Sequence, residues 1–248
     1  MENREPDRTL ELLWRRTLGT PQGTRGPKKR VSVDEVIRAG VAVADEEGLP
    51  AFSMRKVADR LGLKLMSVYT YVPGRSELIG LMVDEVIGEH AHPPLDGDLR
   101  ERLTTVAFHM WDEYHRHPWL LQVESSRPWI GPHSSERYEW QLAAIEGAGL
   151  TDLEMDQVVA MLGAYTAGSA QVSVTARRTA EQSGISDADW WAVNAPVLER
   201  VMPPGAYPLS GRVGTAAGQE YNAVGDPDRT FRFGLERLLD GVEALLAR

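Results

Sequence analysis

Ser53-Met-Arg-Lys-Val-Ala-Asp-Arg-Leu-Gly-Leu-Lys-Leu-Met-Ser-Val-Tyr-Thr-Tyr71 is the stretch that decides the fold. It reads as two short helices joined by a tight turn. Ser53 is a good N-cap, because its hydroxyl accepts a hydrogen bond from a free N–H of the first turn. Val57, Ala58 and Leu61 recur at helical spacing and form one apolar face. Gly62 follows at once, where a left-handed C-cap costs least. The chain restarts at Leu65, and Val68 and Val72 face inward before Pro73 ends the helix. Met66, Ser67, Thr70 and Tyr71 are then expected to point outward.

A helix, a short turn and a second short helix make either a helix-turn-helix unit or an ordinary αα-corner. The flanks bear on that choice. Upstream, residues 33–47 form an amphipathic pattern with capping-box spacing at Ser32 and Glu35 and a stop at Gly48. Downstream, Gly74-Arg-Ser-Glu-Leu78 opens another helix. The A–E–G–L run ending at Leu49, then SMRKVADRLGL, V-Y-x-Y-V and G-R-S-E-L occur in that order. On these motifs, Ser32 to His90 resembles the DNA-binding domain of the tetracycline-repressor (TetR) family of transcriptional regulators. The resemblance covers about a quarter of the chain and is specific in order and spacing.

Composition is compatible with that resemblance. The 248 residues carry a net charge of −9, unevenly placed. Residues 12–75 hold 12 basic against 6 acidic side chains, whereas residues 93–248 hold 13 arginines against 22 carboxylates. A positive head on an acidic body suits docking of one end on phosphates. There is no cysteine, so disulfides and thiolate metal sites are excluded, which suits a cytoplasmic location. No apolar run of about eighteen residues exists, so no membrane span is expected.

The side chains suggest roles. Arg55 can reach a guanine edge with two hydrogen bonds. Ser53 and Lys64 sit near helix starts and suit phosphate. Leu65 and Met66 offer only apolar contact, for example to a thymine methyl. Ser67 and Thr70 donate or accept. Tyr69 and Tyr71 carry phenols suited to phosphate oxygens. The resemblance points to the same positions and adds Arg75. It often has His where Tyr71 stands, so a contact there would be neutral.

The expected architecture is all-α. Residues 1–30 are a flexible basic arm, residues 31–75 a three-helix helix-turn-helix DNA-binding domain, and residues 76–248 a helical ligand-binding and dimerisation domain. Within the arm, Asp7–Arg16 suits a short helix. Thr20–Arg30 is either an arm that reaches the minor groove or a solvated tail. A wide apolar helix is expected over Ser76–His90, and His90 and His92 read as linker rather than a metal pair. Helices follow at Leu99–His115, Ser135–Ala148, Thr151–Thr179 and Ser186–Val201. Residues 203–225 are rich in Gly and Pro and read as a mobile loop. Asp226-Pro227 then start a strongly amphipathic last helix.

The long helix from Thr151 and the last helix are candidates for a homodimer interface, which would set two heads about one DNA turn apart on a palindromic operator. Trp111, Tyr114, His115, Trp119, Trp129, Trp140, Met161 and Tyr165 are candidates to line a pocket for a small, mostly apolar effector. The body resembles tetracycline-repressor-like C-terminal domains, although no magnesium site maps onto it. The resemblance implies a repressor released from DNA by its effector, without a cofactor. An all-helical enzyme and a ligand-binding protein without DNA binding are the alternatives. No catalytic motif supports the first, and neither explains the basic head.

Overall fold

Ser32 launches the first long helix with both bonds of a capping box: its hydroxyl accepts from the Glu35 N–H and the Glu35 carboxylate accepts from its own. The computed structural model describes residues 8–19, 30–124, 129–203 and 205–247. Most of the expected basic arm, residues 1–7 and 20–29, lies outside them. The described residues are helical and contain no strand. In order the helices are α1 (Arg8–Leu13), α2 (Arg15–Leu18), α3 (Val33–Glu47), α4 (Met54–Arg60), α5 (Leu65–Val68), α6 (Arg75–Ile87), α7 (Leu99–Arg116), α8 (Pro132–Ala143), α9 (Asp152–Ser183), α10 (Asp187–Val201), α11 (Pro208–Tyr221) and α12 (Pro227–Leu246). The chain forms two compact units, Met1–Ala160 and Met161–Arg248.

In the first unit, α3, α4, α5 and α6 close around one apolar core. Val36, Ile37, Val57, Val68, Val72, Leu78, Leu81 and Met82 are fully buried. Gly40 lets α3 and α6 cross closely, since a Cβ there would lie 2.8 Å from the Met82 sulfur. Leu13 of α1 joins the same core. Beyond it, α7 starts on a capping box at Asp98 and Glu101. Glu113 of α7 is buried and meets Arg137 of α8 at 2.7 Å. Helix α8 starts three residues earlier than expected, because Pro132 occupies its first turn and the Gly131 N–H bonds the Ser134 hydroxyl. The buried Asp84 of α6 accepts from both the Ser134 N–H and its hydroxyl, at 2.9 and 2.8 Å.

In the second unit, α12 packs on α9. Phe231, Leu235, Leu239 and Val242 are buried, as are Leu162, Ala170 and Val174. The Tyr165 ring stacks on Phe231 at 5.9 Å, and its hydroxyl donates to the Phe231 carbonyl. The Asp226 carboxylate caps α12 and Pro227 fills its first turn, as expected. Residues 203–225 correct the expectation of a loop, because most of them form α11. Pro208 pre-sets its first turn and Asn222 ends it in the left-handed conformation. One of its glycines serves packing: a Cβ at Gly218 would sit 2.8 Å from the Trp191 ring.

The head core dominates the stability of the first unit. Leu81→Ala should lower unfolding free energy by about 3 kcal/mol, from lost transfer energy plus the cavity left behind. Urea denaturation followed by circular dichroism measures this.

Candidate nucleic-acid interface

Helix α4 begins at Ser53, whose hydroxyl accepts from the Lys56 N–H. It ends at Leu61, and Gly62 follows with φ +63°, the left-handed turn expected there. Helix α5 is only four residues long, and Val68 fixes it to the core with no exposed surface. Three residues of the second segment therefore face solvent: Met66, 72% exposed, Tyr69 and Thr70. Ser67 is half-buried, and Thr70 donates its hydroxyl to the Ser67 carbonyl at 2.7 Å. Leu65 is half-buried too, and packs against the core.

Two expected positions differ. Tyr71 is 6% exposed rather than outward-facing. It lies three residues after Val68, and i,i+3 neighbours share a face, so it follows Val68 and Val72 inward. Arg75 keeps a solvent-exposed stem, but its guanidinium is committed. It donates to the carbonyls of Leu49 and Phe52, at 3.0 and 3.4 Å, and lies over the Phe52 ring.

The charge excess of the head is thinner than its residue count. Lys56 pairs with Glu47, and Arg60 makes two 2.7 Å bonds to Glu46. Arg15 and Arg16 both meet Asp34, whose carboxyl is held below its ordinary value despite partial burial because of these guanidiniums. Arg55 and Lys64 are exposed and make no ion pair among the described residues. The helix-turn-helix thus presents two uncommitted cations, Arg55 in the first turn of α4 and Lys64 just before α5, together with the exposed Met66, Tyr69 and Thr70. Cations reach phosphates and guanine edges, and the apolar and hydroxyl groups contact base edges.

The candidate effector-binding residues separate into several environments. Trp119 is buried in the head core and donates its Nε1–H to Asp45 at 2.8 Å, so packing and hydrogen bonding consume it. Trp129 covers Gly80 of α6, where a Cβ would lie 2.6 Å from its ring. Trp111 and His115 touch, with ring centroids 4.5 Å apart. Burial raises the Tyr114 phenol above its usual value. Trp140 stacks on His92 at 4.7 Å, and His92 meets His109 at 3.4 Å. His92 is thus a packed side chain and not only a linker. Burial pushes both imidazoles down, His109 to about 4, so this aromatic cluster is uncharged near neutrality. In the second unit, Met161 is half-exposed and Tyr165 stacks on Phe231. Sequence reading missed His117, whose ring nitrogens meet Asp45 and Glu89. Those partners lie 72 and 28 residues away, beyond any local signal.

Residues 93–246 match the model of the tetracyclin repressor-like C-terminal domain. Over 243 residues, covering 97% of this chain and 87% of the relative, the sequence is 40% identical to the HTH-type transcriptional repressor DrrR1 of Streptomyces coeruleorubidus. The fold resembles apo ActR of Streptomyces coelicolor, with a TM-score of 0.68 and 24% identity over 88% of this chain and 97% of that one. It also resembles ActR in complex with actinorhodin, with a TM-score of 0.71 and 23% identity over 87% of this chain and 96% of that one. These relatives are regulators rather than enzymes, and among the described residues no helix is long and apolar enough to cross a membrane. The chain belongs to the tetracycline-repressor family of transcriptional regulators.

Proposed function

We propose that this protein is a homodimeric repressor that binds a near-palindromic operator through residues 31–75 and leaves it when residues 76–248 bind a small, mostly apolar molecule. Residues 8–18 of the expected arm are instead helices α1 and α2, with Leu13 in the head core, and the protein works in the cytoplasm, where its DNA is. The observation that carries the reading is the solvent-facing side of the helix-turn-helix, where Arg55 on α4 and Lys64 before α5 make no ion pair among the described residues while Lys56 and Arg60 are paired. Arg55 reads a base edge; Ser53 and Lys64 hold phosphates; Met66, Ser67, Tyr69 and Thr70 complete the contact face. Leu65 and Tyr71 support that face from the core side, and Arg75 braces the start of α6.

Dimerisation is supported by α9 and α12. A groove of about 380 Å³ runs along Gly168, Ser169, Val172 and Ala176 to Pro227 and Thr230. Small side chains let a second helix approach closely, and Val172 and Phe233 are largely exposed for apolar residues. Two heads read twice the sequence of one. For the effector, the uncharged cluster of His92, His109 and Trp140 suits an apolar molecule, as does the pairing of Trp111 with His115. ActR, of similar fold, holds actinorhodin. An effector releases DNA only if it binds the shape that does not fit the operator better than the shape that does.

Three measurements test this. Fluorescence anisotropy with duplex from upstream of the gene should show steeply salt-dependent binding. Arg55→Ala should cost about 1–3 kcal/mol and relax preference at one base pair, while Lys64→Ala should lower the salt slope by about 1 without changing preference. Light scattering should give twice the chain mass, and a monomer at micromolar concentration would defeat the dimer. A thermal-shift screen of apolar compounds, actinorhodin included, should find a ligand that raises the melting temperature and weakens duplex binding.

A further inference from the structure

Three helix ends meet at one imidazole. His117 ends α7 just before Pro118, and only 7% of it is exposed. Its Nδ1 lies 2.8 Å from the Asp45 carboxylate, in the last turn of α3, and its Nε2 lies 3.0 Å from Glu89, just past the end of α6. Asp45 takes a second donor, the Trp119 Nε1–H, at 2.8 Å. Helix α3 leads into the helix-turn-helix and α6 leaves it, whereas α7 belongs to the body.

The proton count makes this contact conditional. An imidazolium has two N–H groups and satisfies both carboxylates. A neutral ring has one, so its other nitrogen would set a lone pair against a carboxylate oxygen at hydrogen-bond distance. Asp45 keeps Trp119 in either state. The Glu89 carboxylate has no second donor among the described residues, and it follows the end of its helix. The Glu89 arm is therefore the one that opens.

We propose that His117 is a positioning residue: a doubly hydrogen-bonded latch that fixes the C-terminal end of α6 against α3 and α7, and so sets the stance of the DNA-binding head on the body. This deepens the proposed function and rests on it for its meaning in DNA binding. The latch itself is a property of the folded chain.

The surrounding charges favour the closed state. Asp45 from α3 and Glu89 after α6 face the ring directly. Glu113, one turn earlier on α7, is answered by Arg137 of α8, and Arg116 lies beside it. Burial alone would push the imidazole down, but the two carboxylates outweigh it and hold His117 above its ordinary value of 6.5. A raised folded-state value means that the latch contributes fully below pH 6.5 and is lost as pH rises through the folded-state value.

The test uses the full chain without DNA. Proton NMR should show the His117 ring, assigned by its absence in His117→Gln, titrating above 6.5. Hydrogen exchange should show the last turn of α6 opening about tenfold faster in Glu89→Gln than in the native chain near pH 6, with the gap shrinking below about twofold once the pH is above the His117 titration seen by NMR. Glu89 is partly exposed, so this variant keeps the proposal falsifiable if His117→Gln fails to fold. A ring titrating at or below 6.5, or a gap unchanged by pH, would overturn the latch. Duplex binding separates the two readings. If the native chain binds duplex with the same pH profile as Glu89→Gln, the latch has no role in positioning the head. If no duplex binds but both DNA-free readouts hold, the latch stands and the DNA reading fails.

Discussion

The rest of the head depends on the burial of Val68. A four-residue helix has no stability of its own, since nucleation costs more than one turn of hydrogen bonds returns. Helix α5 exists because Val68 is buried in the core that it shares with α3, α4 and α6. That single inward side chain rotates Met66, Tyr69 and Thr70 outward. The exposed face of the helix-turn-helix is the reverse side of a packing solution.

The same economy governs charge. Glutamates at the end of α3 answer two of the cations of α4, and Asp34 answers the arginines of α2. Each exposed pair contributes little to stability. Their effect is to choose which cations remain available. Within the helix-turn-helix, Arg55 in the first turn of α4 and Lys64 just before α5 are left. A carbonyl cap holds Arg75 where a bare count would call it a phosphate ligand.

Histidines mark the body in two opposite ways. His92 and His109 are half-buried, and desolvation outweighs the carboxylates near them and lowers both below the ordinary value beside Trp140. His117 is buried between two carboxylates, which raise it above its ordinary value. One setting favours an uncharged aromatic surface suited to an apolar molecule; the other favours the imidazolium at the contact that joins the ends of α3, α6 and α7. The family shows that such chains regulate transcription.

The sequence by itself determined what rests on neighbours a few residues apart. The capping box at Ser32, the left-handed turn at Gly62, the Asp226-Pro227 start and the helical periodicity all act within about one or two turns, so the all-α fold and the position of the helix-turn-helix were legible. Tertiary structure decided the rest. Tyr71 is drawn inward with Val68, α11 forms where Gly218 meets the Trp191 ring instead of making a loop, and Trp119 is spent on Asp45 rather than lining a pocket. His117 looks like a helix terminator in the chain and becomes a junction only when Asp45 and Glu89 arrive from 72 and 28 residues away. Burial and long-range hydrogen bonds assign those roles, and neither has a local period to read.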